Sequence, residues 1–303
     1  MKTYLDAALD GKNDWWRYLI GYPFILITWF LLGAIPVIAL SVIVTFDGDP
    51  QTILAVTGFV GINPLLNFAV NMFTFIPFIL ATSVAVIWIH RRHLRTLITP
   101  AAQIEWKRLF FSAAVWAVLA GIAALTEALL HPGRYAFTPD LKTLVPFAVL
   151  AVIMLPLQTS AEEFFFRGYI LQNIGLKIKN IWILSVISGI LFTLPHLPNP
   201  EVSANPILVP LFYFFFGAFA ALITLRDNGL ELALGMHMGN NLFTAIFANY
   251  SITALASPSL FLIQEFDVIY NLIAPVVQMI AFYFLFFKLW PKKIIADPAL
   301  LES

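Results

Sequence analysis

Residues 144–176, LVPFAVLAVIMLPLQTSAEEFFFRGYILQNIGL, decide the fold. The stretch is longer than the roughly 20 apolar residues a helix needs to cross a bilayer, yet it holds Glu162, Glu163 and Arg167. Ionisable groups inside a membrane helix are expensive and are kept where a protein interior or a water-filled cavity receives them. A membrane helix that carries a polar site is therefore the first expectation.

Apolar runs recur on both sides. Hydropathy and turn signals give eight candidate spans at about 24–46, 68–89, 109–130, 144–176, 181–194, 207–225, 232–250 and 268–290. The fold class is all-α, a polytopic transmembrane helical bundle. Composition agrees: of 303 residues 60% are hydrophobic and 11% charged, with mean hydropathy +0.87, against roughly half apolar and a quarter charged in soluble domains. A balance of 17 Lys+Arg against 17 Asp+Glu leaves no electrostatic case for a nucleic-acid partner. The absence of cysteine removes disulfides, thiolate zinc sites and cysteine nucleophiles together.

Lys and Arg stay on the cytoplasmic side of short membrane loops. Fourteen of the 17 cations fall at residues 2–17, 91–108, 177–179, 226 and 288–293, which alternate correctly for eight spans with both termini cytoplasmic. Arg134 and Lys142 remain for the outer loops. The first span exceeds a signal-peptide core and lacks a small-residue cleavage site, so it reads as retained. The expected organisation is a cytoplasmic or interfacial segment at 1–23 with Trp15, Trp16, Arg17 and Tyr18 as anchor, one membrane domain at 24–290, and a cytoplasmic tail at 291–303. The loop from His90 to Arg108 reads as a solvated connection touching lipid headgroups. His90, His93 and His131 sit at span ends or in loops, with little expectation of function.

The ionisable groups within spans are Glu127, Glu162, Glu163, Arg167, His196 and His237. Glu127 lies in the last turn of its span, which an interfacial position explains. Glu163 and Arg167, four apart with the acid first, form the favourable helical ion pair; Glu162 points about 100° away and is left free. His237 and Asn241 share a helix face one turn apart, able to present hydrogen-bond donors to one point. If spans four and five form a hairpin about residue 179, Glu162 and His196 face each other at one level, in the inner part of the bilayer. A carboxylate and an imidazole so placed can hold and deprotonate a water, and a donor pair can stabilise a tetrahedral oxyanion, which describes a hydrolase. The chain has no His-Glu-x-x-His motif, no Gly-x-Ser-Gly segment and no in-span Asp pair. Hydrolysis is then glutamate-based or metal-based. Zinc held by Glu162, His196 and His237 is the alternative; the metal-free reading is favoured because Asn241 suits an oxyanion donor better than a zinc ligand.

Glu162-Glu163-x-x-x-Arg167, Phe192-x-x-x-His196 and His237-x-x-x-Asn241 together resemble the three-motif signature of the CAAX protease and bacteriocin-processing family (CPBP, also called ABI), which includes the type II CAAX prenyl endopeptidases. The likeness covers about 144–250. It implies a multi-helix protein of the membrane, here a bacterial plasma membrane, with a site open toward the cytoplasm that cleaves membrane-tethered peptides or proteins. By that resemblance Glu162 and His196 activate water, His237 and Asn241 bind the oxyanion, and Glu163 with Arg167 order the site, while Phe192 forms a wall. Prenylated CAAX-type substrates, leader peptides and membrane-protein turnover stay equally open. A membrane scaffold or bacteriocin-immunity protein without proteolysis, and a proton-coupled transporter using Glu162 and the histidines as a relay, are the rival readings. Asn63, Asn67 and Asn71 form a polar stripe expected to hydrogen-bond between helices, and Gly217 with Ala221 a close helix contact.

Overall fold

The computed structural model describes residues 2–55 and 58–292. Lys293 and the rest of the tail to residue 303 lie outside the described residues. Within the described residues, ten helices and five short strands follow one another: α1 (Trp15–Phe46), β1 (Ile53–Ala55), β2 (Gly58–Val60), α2 (Pro64–Phe73), α3 (Phe75–Val84), α4 (Trp106–Leu130), β3 (Tyr135–Phe137), α5 (Leu141–Glu163), α6 (Gln172–Gly175), α7 (Ile181–Thr193), α8 (Leu208–Asp227), α9 (Glu231–Ile246), β4 (Ala248–Tyr250), β5 (Phe261–Ile263) and α10 (Val268–Phe284). A π-helical segment, Phe164–Leu171, joins α5 to α6 without a break. Six helical stretches are long and apolar enough to cross a membrane, among them Leu141–Gly175; Ile181–His196 is apolar but shorter. The bundle is an integral, multi-pass membrane protein. Its girdle is apolar and open: Leu31, Ile35, Val118, Ile122, Val149, Ile153, Ile273 and Ile280 are all exposed, as a surface solvated by lipid requires.

Local sequence explains the breaks. Pro77 has no N–H to give to the Phe73 carbonyl, and the helix is interrupted at Thr74, whose hydroxyl donates to the Asn71 carbonyl. Asn63 caps α2 by accepting from Leu65 N–H at 2.8 Å, and Asn71 donates to Asn67 one turn back. The asparagine stripe thus serves its own helix and the strand before it rather than a neighbouring span. The central element is α9, buried from Glu231 to Gly239. Gly235 and Gly239 let α4 approach: a Cβ on the first would collide with the Leu109 carbonyl oxygen, and one on the second with that of Ala113. Small-residue packing between membrane helices works in this way. Gly217 of α8 likewise meets α7, where a Cβ would sit 2.7 Å from the Phe192 Cβ.

The two ends of the bundle differ in chemistry. One gathers the chain's N-terminal segment, residues 90–108, the 176–180 turn, the 228–230 turn and residues 290–292. Residues 4–8, part of the segment expected to be cytoplasmic or interfacial, are packed inside this end, with Tyr4, Leu5, Ala7 and Ala8 buried. Tyr4 donates its hydroxyl to the Leu97 carbonyl at 2.6 Å, Gln172 donates to the Thr96 carbonyl and accepts from Arg92, and Arg108 pairs with Asp227. The opposite, distal end carries Asp47, Asp49, Glu127, Asp140, Glu201, Glu265 and Asp267 against Arg134 and Lys142. There β3 pairs antiparallel with β5, Tyr135 opposite Ile263, and β4 pairs parallel with β5, Ala248 opposite Phe261. Glu127 is buried and held by Arg134 at 3.0 Å and the Tyr135 hydroxyl at 2.7 Å, an internal tie rather than an interfacial charge.

His90 belongs to the packed end. It is 1% exposed, with Nδ1 2.9 Å from the Lys12 carbonyl and Nε2 2.8 Å from the Tyr169 hydroxyl. Burial, then Arg92 and Arg17 nearby, hold its pKa down at about 4 from the usual 6.5. The fold therefore disfavours the protonated ring. Its contribution to stability is full above about pH 6.5 and is lost as the pH falls toward 4. Thermal unfolding in detergent should show the midpoint dropping over that interval, with a flatter profile for His90→Gln.

Candidate active site

The site lies where α5, α7, α8 and α9 converge. Counting along the continuous helix at about 1.5 Å per residue, Glu162 is roughly 32 Å from Leu141 and roughly 20 Å from Gly175. It is therefore nearer the cation-rich end. Glu162, Phe192, His196, His237 and Asn241 all line one cleft of about 510 Å³. Glu163 and Arg167 stand behind its wall, both fully buried.

Arg167 and Glu163 make the expected pair, Nη1 to Oε1 at 3.0 Å. The same Oε1 lies 2.8 Å from His237 Nδ1, so one carboxylate oxygen joins α5 to α9. Arg167 also donates to the Gly217 carbonyl at 3.1 Å and stacks its guanidinium 4.4 Å over the Phe192 ring, which gives the Phe192 wall an electrostatic role. Charges removed from water survive only when compensated in this way.

Glu162 is held differently. Its Oε1 accepts from Gln158 Nε2 at 2.7 Å, while Oε2 faces His237 Nε2 at 3.6 Å and has no hydrogen-bond partner among the described residues. Gln158 Oε1 in turn accepts from Asn241 Nδ2 at 2.8 Å. Asn240 donates to Asn241, and Trp116 of α4 donates to Asn240 at 3.1 Å. A line of polar groups thus runs from Trp116 through Gln158 to Glu162, inside an otherwise apolar bundle. Gln158 stands one helical turn before Glu162, and that spacing of four is the signal the sequence offers for their bond. The link from Trp116 to Asn240 has no such signal, because it crosses between helices.

His196 ends the α7 stretch. Its Nδ1 is 2.6 Å from the Phe192 carbonyl; a carbonyl only accepts, so Nδ1 carries the proton and Nε2 of the neutral ring is an acceptor. The ring is sandwiched at 4.4 Å by Phe192 and at 4.4 Å by Tyr213. Tyr213 donates its hydroxyl to Glu201 and accepts from Asn199 at 2.9 Å. No direct hydrogen bond joins Glu162 to His196 among the described residues; they share the cleft rather than a bond. Nor do three His, Asp or Glu side chains among the described residues converge as a metal cradle.

The cleft is lined unevenly along the bundle. Its walls run through Tyr135, Tyr250, Thr253 and Ala254 to the distal end. No described residue of 2–14, 90–108, 172–180 or 224–236 lines it.

The profile of the family described as type II CAAX prenyl endopeptidase Rce1-like matches residues 142–243, an interval that holds all three motifs. The uncharacterized protein YyaK of Bacillus subtilis (strain 168) is 30% identical over 266 residues, which cover 85% of this chain and 86% of that protein. No solved structure matches. With its motifs drawn together on one cleft and a relative that parallels most of its length, the chain belongs to the Rce1-like family of type II CAAX prenyl endopeptidases, a protease family.

Proposed function

We propose that this chain is an intramembrane endopeptidase that hydrolyses peptide bonds of membrane-associated substrates with water activated by Glu162. The observation that carries the reading is the asymmetric treatment of two adjacent carboxylates. Each leaves its Oε2 without a hydrogen-bond partner among the described residues, but Glu163 is held by Arg167 and His237 behind the wall, whereas Glu162 lines the cleft and pairs with no Arg or Lys. A carboxylate with a spare acceptor in a polar cavity of a membrane protein is equipped to take a proton.

In this mechanism Glu162 Oε2 accepts one proton of the water and His196 Nε2 accepts a hydrogen bond from the other, turning the oxygen lone pair toward the substrate carbonyl. Attack gives a tetrahedral oxyanion. Asn241 has a second amide hydrogen beyond the one given to Gln158, and it can donate to that oxyanion. His237, donating from Nδ1 to Glu163, can also donate from Nε2 when the ring carries both protons. Collapse breaks the C–N bond, and the proton held by Glu162 passes to the leaving amine. Water and peptide yield one carboxylate and one amine, with no other reactant. Arg167 and Glu163 act as positioning residues, since neither reaches the cleft. The family's name gives prenylated CAAX-type proteins as one substrate class to try, alongside tethered leader peptides.

Purified protein in detergent, offered a panel of membrane-tethered peptides, tests this. Glu162→Gln and His196→Ala should each lower the cleavage rate by about 10²–10⁴-fold, and Asn241→Ala by about 10²-fold, while Glu127→Gln remains within a few-fold of wild type. Undiminished cleavage by Glu162→Gln would remove the mechanism. A structural contrast accompanies the kinetic one. Glu163→Gln strips the charge from a buried, shared carboxylate and should cost roughly 3–5 kcal/mol of stability, read as a lower unfolding midpoint, whereas Glu162→Gln keeps its hydrogen bond to Gln158 and should unfold close to wild type.

A further inference from the structure

Five side chains on three helices form one chain of hydrogen bonds whose direction is set by its two ends. Trp116 Nε1 of α4 donates to Asn240 Oδ1 at 3.1 Å, Asn240 Nδ2 to Asn241 Oδ1 at 3.0 Å, Asn241 Nδ2 to Gln158 Oε1 at 2.8 Å, and Gln158 Nε2 to Glu162 Oε1 at 2.7 Å. An indole nitrogen only donates, and an ionised carboxylate only accepts. Turning over any of the three amides between them would set oxygen against oxygen on one side and nitrogen against nitrogen on the other. All four bonds therefore exist together only in the direction that runs from Trp116 to Glu162. Bonds aligned head to tail polarise one another, most of all where water is kept out, and both Trp116 and Gln158 are buried.

That direction has two consequences for the reaction. Gln158 covers Oε1 of Glu162 with an N–H, so a proton taken from water lodges on Oε2, which faces His237 Nε2 at 3.6 Å and has no hydrogen-bond partner among the described residues. A proton on Oε1 would require every amide to reverse, and the indole N–H of Trp116 would then face the Asn240 nitrogen. The leaving amine can thus recover the proton from the oxygen that first accepted it. On its other side Gln158 takes one hydrogen of Asn241 Nδ2, and the plane of the Asn241 amide then fixes the direction of the second. One side chain outside the three motifs aligns both the base and the oxyanion donor.

We propose that Gln158 is a positioning residue of this site, holding Glu162 and Asn241 in the register that hydrolysis needs, and that Trp116, which does not line the cleft, fixes the direction of the chain from outside it. This rests on the endopeptidase reading. A merely cohesive role would make these bonds equivalent to the one from Ser112 Oγ to the Leu232 carbonyl at 2.7 Å, which also ties α4 to α9 but does not join the chain.

Two constants that do not depend on the folded fraction separate these roles. One is KM for a tethered peptide that the wild type cleaves; the other is the inhibition constant of the same peptide carrying a phosphinate, a tetrahedral mimic, at the scissile bond. Gln158→Met removes both bonds at similar volume. It should weaken phosphinate binding by about 10–10²-fold while KM stays within about twofold of wild type. Trp116→Phe, which keeps a ring in place, should weaken it by about 2–10-fold and add little in the Gln158→Met background, as members of one network do. Ser112→Ala should leave both constants as in the wild type. Unchanged phosphinate binding by Gln158→Met would overturn the proposal, as would Trp116→Phe and Gln158→Met effects that multiply in full, or a loss in Ser112→Ala equal to that in Trp116→Phe. Should Gln158→Met fail to fold, Trp116→Phe against Ser112→Ala still decides. In each of these outcomes the wild type cleaves and the endopeptidase reading stands; a wild type that cuts no peptide of the panel overturns that reading and this proposal with it.

Discussion

A single carboxylate oxygen, Glu163 Oε1, organises the interior of this bundle. Arg167 and His237 both converge on it, and through Arg167 it also engages the Gly217 carbonyl of α8. In hydrocarbon an unpaired charge is untenable, so α5, α8 and α9 are locked at the one rotation and depth that satisfy it. The position of Glu162 follows from that lock. Being the neighbouring residue on the helix, it is turned about 100° away, toward the cleft and Gln158.

Close helix contact makes the lock possible. Gly217 admits the Phe192 side chain, Gly235 and Gly239 bring α9 against α4, and α9 can then lie in the centre with both His237 and Asn241 turned toward α5. Membrane helices associate through packing and interhelical hydrogen bonds rather than through the hydrophobic effect. The small residues and the polar line from Trp116 to Glu162 are the two halves of that cohesion. Removing water from the polar line raises the strength of each of its bonds and the cost of leaving any of them unmade.

Much of this is legible in the chain because charges inside apolar runs stand out. Glu162, Glu163, Arg167, His196, His237 and Asn241 are visible as a set, and the structure brings them to one cleft or directly behind its wall. The pairing of Glu163 with Arg167 follows from helical spacing alone. The second bond of Glu163, to His237, does not, since nothing in the spacing of residues 163 and 237 encodes an approach between α5 and α9. The role of Gln158 is hidden for a related reason: an amide in a polar cluster looks the same whether it faces lipid headgroups or a carboxylate. The packing of residues 4–8 is hidden as well: Tyr4, Leu5, Ala7 and Ala8 are buried in the cation-rich end, and a short segment of that composition looks the same whether it is packed or exposed.

The π-helical stretch Phe164–Leu171 lies between the two things this helix must do. On one side it presents Gln158 and Glu162 to the cleft; on the other it delivers Gln172 to Arg92 and Thr96 in the closed end. Such a stretch bonds to the fifth residue rather than the fourth, which makes its turns wider. It sets the angular offset between the reacting half of the helix and the anchoring half. Because Arg167 lies within this stretch and pairs back to Glu163, the wider turn is tied to the site at one end and to the closed end at the other, so chemistry and attachment are mechanically coupled along one helix.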